Sequence, residues 1–83
     1  MNYDGCQLNA FIRKVCAEKN ISVEELADRL YLSKESVRNR YLTTYEKARP
    51  NARVSTIMNI ANALEVDPVI VFRYAMQDFK NWR

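Results

Sequence analysis

Val23-Glu24-Glu25-Leu26-Ala27-Asp28-Arg29-Leu30-Tyr31-Leu32-Ser33-Lys34-Glu35-Ser36-Val37-Arg38-Asn39-Arg40-Tyr41-Leu42 is the stretch that decides the fold. It reads as two short helices joined by a tight turn at Tyr31-Leu32. Ala27, Leu30, Leu32 and Val37 are spaced to lock the two helices together at a steep angle. Lys34, Glu35, Arg38 and Asn39 are left facing outward, so the second helix of the pair opens on a polar, basic face. That layout suits a helix offered to the major groove of duplex DNA.

The start signals around this pair are explicit. Ser22 precedes the first helix and Glu25 stands three residues later, the spacing of a capping box. Ser33 is placed to cap the second helix. Upstream, Leu8, Phe11, Ile12 and Val15 repeat at i, i+3, i+4, i+7, which predicts a core-facing helix from about Leu8 to Lys19. Asn20, a residue tolerant of the left-handed region, ends it. Arg13 and Lys14 read as the solvated side of that helix. Downstream, a polar connection over 43–53 is closed by Pro50, and Thr44 to Arg49 either extend the preceding helix or form a loop. Ser55 reads as the cap of a fourth helix with Ile57, Ile60, Ala61 and Leu64 inward. Asp67-Pro68 then marks a fifth start, an acidic cap followed by proline at the first helical position. That fifth helix carries Val69, Val71, Phe72, Ala75, Met76 and Phe79, with Trp82 beyond it.

The chain's 83 residues suffice for one small domain. One Gly and two Pro leave few breakers, and no regular turn clusters suggest strands, so an all-α fold follows. We expect a loose arm over 1–7, a core over 8–72, and a helix end and tail over 73–83. No apolar run reaches the ~18 residues of a membrane span. Asn2, Tyr3 and Asp4 interrupt any signal-peptide layout, so a cytoplasmic location is expected, with no membrane partner. Cys6 and Cys16 match no zinc spacing and read as ordinary reduced residues. With no histidine and no convergent carboxylate or cysteine set, neither a metal, a cofactor nor a catalytic function is expected.

The net charge of +3 is unevenly distributed. Between Ser33 and Arg53 stand six cations (Lys34, Arg38, Arg40, Lys47, Arg49, Arg53) against two anions, while the remainder is slightly acidic. A polyphosphate partner rewards that concentration through counterion release.

In order and content these segments resemble the Xre family of helix-turn-helix domains, the Cro and lambda-repressor type. The resemblance covers roughly residues 8–72. It rests on Ser22-Val23-Glu24-Glu25-Leu26-Ala27, on Leu32-Ser33-Lys34-Glu35-Ser36-Val37, and on Ser55-Thr56-Ile57 leading to Ile60-Ala61-Asn62-Ala63-Leu64-Glu65-Val66-Asp67-Pro68. It implies a compact five-helix lambda-repressor-like bundle with the helix-turn-helix formed by helices 2 and 3. By position it also implies base-edge contacts from Lys34, Glu35, Arg38 and Asn39. Those residue types have the chemistry for base reading, since Lys and Arg donate to guanine, Asn pairs with adenine, and Glu accepts from cytosine. Glu35 could equally orient Arg38 through an i, i+3 pair. Candidates for phosphate contact are Ser22, Ser33, Arg40, Lys47, Arg49 and Arg53. Two departures stand out: Tyr31 occupies the turn position where the family usually has Gly, and the connection after Tyr41 is longer than usual.

The aromatic C-terminus, with Phe72, Tyr74, Phe79 and Trp82, exceeds what one helix needs against a small core. Phe72, Phe79 and Trp82 are therefore expected to form a homodimer interface, pairing two recognition helices on a palindromic operator. The resulting expectation is a sequence-specific regulator of transcription acting on double-stranded DNA, most simply as a repressor. The alternative is a module that keeps this fold but binds a protein partner, as some antitoxins do.

Overall fold

The computed structural model describes residues 7–42 and 53–81, apart from the side chains of Phe79 and Asn81. Its helices are α1 (Gln7–Lys19), α2 (Val23–Leu30), α3 (Lys34–Tyr41), α4 (Val54–Leu64) and α5 (Pro68–Asn81), and the described residues contain no strand. The all-α expectation holds. None of these helices is long and apolar enough to cross a membrane.

The core forms where the apolar stripes converge. Ile12, Leu26, Val37, Ile60, Leu64 and Val71 are each less than 2% exposed. Every helix thus contributes at least one fully buried aliphatic side chain, worth about 1.5–3 kcal/mol apiece. Val37 is the sole fully buried residue of α3, set between part-buried Ser36 and the exposed Arg38, Asn39 and Arg40. Its burial fixes which face α3 turns inward, and so which face it presents. Tyr41 and Leu42 pack part-buried against the same core, as do Leu30 and Leu32. Phe11 leaves the stripe of α1 half-buried and stacks on Tyr74, ring centroids 4.5 Å apart.

Helix ends follow the sequence signals at most positions. The Ser22 hydroxyl accepts from the Glu25 amide, and the Ser33 hydroxyl from the Ser36 amide, each at 3.1 Å. Only the forward arm of the capping box at Ser22 is made. The Glu25 carboxylate instead meets Arg29 at 2.6 Å, since a charged partner one turn on competes better than a backbone amide exposed to water. Asp67 caps α5 through the Val69 amide at 2.9 Å.

At α4 the expectation needs correcting: the cap is Arg53, and Ser55 lies inside the first turn. Residue 53 is already extended, and its carbonyl accepts from the Ile57 amide, so the first turn closes before Ser55 is reached. The far end of α4 is held by cations from two other helices. Lys19 donates to the Leu64 and Glu65 carbonyls at 2.7 and 3.0 Å, and Arg29 to the Ala63 carbonyl at 2.6 Å. Terminal carbonyls have no partner within their own helix, so such donors complete them.

Three helices end on a left-handed residue that is not glycine: Asn20 (φ 57°), Tyr31 (φ 56°) and Glu65 (φ 57°). Tyr31 therefore keeps the turn geometry that a glycine would adopt, donating its amide toward the Ala27 and Asp28 carbonyls. Its side chain is 94% exposed, so packing does not offset the backbone cost. Left-handed geometry costs an L-residue about 1–2 kcal/mol, and the extra unfolded-state entropy of glycine takes back about half of that. Tyr31→Gly is accordingly expected to raise stability by roughly 0.5–1 kcal/mol. Urea unfolding of the two proteins checks it, and a loss of stability would show that the tyrosine ring has a stabilising contact.

Cys16 is a free, partly buried thiol. Burial pushes its pKa up, and the nearby Arg29 charge offsets part of that rise. A thiol kept protonated in this way is a poor nucleophile, consistent with a packing role.

Candidate nucleic-acid interface

The α2–α3 pair presents its second helix as the residue spacing requires. Lys34, Glu35, Arg38, Asn39 and Arg40 are all exposed, on a helix anchored through Val37. Lys34 reaches back to Glu24 at 3.4 Å, with side chains 51% and 75% exposed. An exposed pair of that length is worth at most a few tenths of a kcal/mol, so it leaves Lys34 able to extend toward a ligand. Glu35 and Arg38 do not pair with each other, and neither has an ion pair among the described residues. The Glu35 carboxylate is consequently open to accept from an outside donor.

Ser22 and Ser33 stand at the amino ends of α2 and α3 with their hydroxyl oxygens engaged as caps. The Ser33 hydroxyl also donates to the Ser36 hydroxyl at 3.1 Å. Their local work is capping. What each helix start adds for an anion is its positive dipole end and its early amides. Arg40 is exposed near the carboxyl end of α3, and Arg53 is exposed at the start of α4. Lys47 and Arg49 lie outside the described residues, as does the question of whether 44–49 extend α3.

The carboxyl end of α3 is fixed from α1. Asn9, 2% exposed, donates its side-chain amide to the Arg40 carbonyl at 3.1 Å. Arg13 donates to the Leu42 carbonyl at 3.1 Å. Arg13 is therefore not on a solvated face, as its sequence position suggests, because its guanidinium reaches a terminal carbonyl of the neighbouring helix. Lys14 is exposed.

At the amino end of α1, next to Asn9, Asp78 of α5 is fully buried and accepts from the Gln7 and Leu8 amides at 2.6 and 2.8 Å. The first turn of α1 contains no acidic residue of its own, so Asp78 supplies the charge that its positive dipole end favours. Sequence reasoning missed this role. The available signal was that Asp78 falls on the same helical stripe as Val71 and Ala75, both buried.

The proposed dimer residues are only partly located. Phe72 is 44% exposed on α5. It lines a shallow groove of about 210 Å³ between α4 and α5, together with Val54, Met58, Pro68 and Val69. Val69 and Met76 also face outward, leaving Val71 and Ala75 as the buried apolar residues of α5 among the described side chains. The Phe79 side chain and Trp82 lie outside the described residues.

A protein-family model described as helix-turn-helix matches residues 12–71, which spans α1 after its first turn through the first turn of α5. No curated protein matches the chain, and no solved structure does.

Proposed function

Because the chain belongs to the Xre-type helix-turn-helix family of DNA-binding regulators, we propose that it is a homodimeric repressor reading a palindromic operator with α3. The observation that supports this reading most is the arrangement of α3. Val37 is wholly buried, while Lys34, Glu35, Arg38, Asn39 and Arg40 are exposed together. In the proposal Lys34 and Arg38 donate to guanine edges, Asn39 pairs with adenine, and Glu35 accepts from a cytosine amino group. Ser22 and Ser33 bring helix amino ends to phosphates, and Arg40, Lys47, Arg49 and Arg53 neutralise the backbone.

The exposed apolar face supports dimerisation. The α4 sequence carries no charged residue, and its Val54 and Met58 join Val69 and Phe72 of α5 in a groove with almost no polar surface. A second copy covering it places two α3 helices for half-sites about 34 Å apart.

The salt dependence of duplex binding tests the DNA reading before any operator is known. Four phosphate-neutralising cations per protomer give a log–log slope of roughly −7 for a dimer. A slope of that order on mixed-sequence duplex supports the reading, with sedimentation showing two protomers per site. Binding indifferent to salt, or a slope near −1, would move the assignment to a protein-binding module.

A further inference from the structure

We infer that Asn9 and Arg13 are positioning residues for base recognition, holding the carboxyl half of α3 so that Arg38 and Asn39 meet the groove at a fixed depth. This rests on the DNA-reading role of α3. α3 has eight residues, just over two turns, and one fully buried anchor, Val37. A helix of eight residues has as many terminal carbonyls as interior ones, so contacts made to those carbonyls weigh heavily on its position. Its C-cap, Leu42, donates to the Val37 carbonyl at 3.2 Å. The Arg40 and Leu42 carbonyls are taken by Asn9 and Arg13, both at 3.1 Å.

The two donors come from one face of α1, at i and i+4, so they act on α3 as a single clamp. Asn9 is buried, which shields its contact from competing water; Arg13 is part-buried and brings a positive charge to the negative dipole end of α3. α1 is in turn anchored at its own start by Asp78. The described contacts of the clamp on α3 are to backbone carbonyls. The clamp therefore acts on where the Arg38 and Asn39 side chains start from, and contacts no base itself. The amino half of α3, with Lys34 and Glu35, is set independently by the Ser33 cap and by Leu32.

Arg13→Met removes the donor and keeps much of the aliphatic stem, and Arg13→Lys restores a cation able to reach the same carbonyl. Asn9→Ala removes the second donor. Each variant is compared with the parent by duplex selection and by amide hydrogen exchange. For Arg13→Met and Asn9→Ala the expected result is exchange about ten-fold faster at the amides of residues 40–42, with α4 unaffected. Base discrimination should fall roughly five- to ten-fold at the positions read by Arg38 and Asn39 and stay unchanged at those read by Lys34 and Glu35. Arg13→Lys should recover most of both.

Equal losses at every base position, or unaltered discrimination in a variant whose α3 end exchanges faster, would overturn the positioning role while leaving the DNA reading intact. A parent protein that selects no sequence would overturn both. Should Asn9→Ala fail to fold, the Arg13 pair decides the matter alone.

Discussion

Asp78→Ala is expected to lower the stability of the domain by about 3 kcal/mol, with a fall in Tm on the order of 15 °C for a chain of this size. The carboxylate is fully buried and accepts two short hydrogen bonds from the Gln7 and Leu8 amides. Deleting it does more than remove those bonds. Two amide donors are left without a partner, one of them in a buried contact, and an unmet buried donor costs about 1–3 kcal/mol. The positive end of α1 also loses its neutralising charge. Marginal domains hold only about 5–15 kcal/mol in all, so the loss is a large share of the whole. Asp78→Asn keeps one acceptor oxygen but turns an amide group toward the other donor, and an intermediate loss of about 1–2 kcal/mol is expected. Urea unfolding monitored by circular dichroism measures both. An alanine variant within about 0.5 kcal/mol of the parent would show that the α1–α5 closure is held by packing alone.

Arg38→Ala is expected to act on recognition, with little effect on stability. Arg38 is exposed and has no ion pair among the described residues, so its removal should change folding by less than about 0.5 kcal/mol. A good bidentate base contact carries about 1–3 kcal/mol of discrimination. A two-fold dimer makes the contact twice, so affinity for the preferred duplex should fall on the order of 10²–10⁴-fold. Affinity for a scrambled duplex should fall far less, because only one charge per protomer is lost. Fluorescence anisotropy on the two duplexes separates the effects. Parallel losses on both would reassign Arg38 to the phosphate backbone. Arg40→Ala provides the contrast, with a uniform loss across sequences and a salt slope reduced by about 1 per protomer.

Asp78 and Arg38 differ in how far the sequence reveals their roles. The outward face of α3 was legible because it is local: Ser33, Val37 and the polar residues between them fall within one short helix. The caps at Ser22 and Asp67 and the left-handed stop at Asn20 were legible for the same reason. Asp78 was not, because its partners are 70 and 71 positions away and only the packing of α5 on α1 brings them within reach. Asn9 and Arg13 were hidden likewise, since their acceptors are backbone carbonyls, which carry no residue signature. The start of α4 differs from the expected one because a serine is the usual cap, whereas Arg53 holds the position by backbone geometry with no side-chain cap hydrogen bond. Tyr31 shows the limit of reading cost from residue type. The position demands a left-handed residue, and the surrounding helices impose it on a tyrosine.

The decisive measurement is selection from a pool of random duplex DNA at near-physiological salt. A dimer reading DNA through α3 should enrich a palindrome whose half-sites lie about one helical turn apart, with preference at each half-site weakened by Arg38→Ala. A pool that emerges unenriched, from a protein that is folded and present at saturating concentration, would contradict that role for α3.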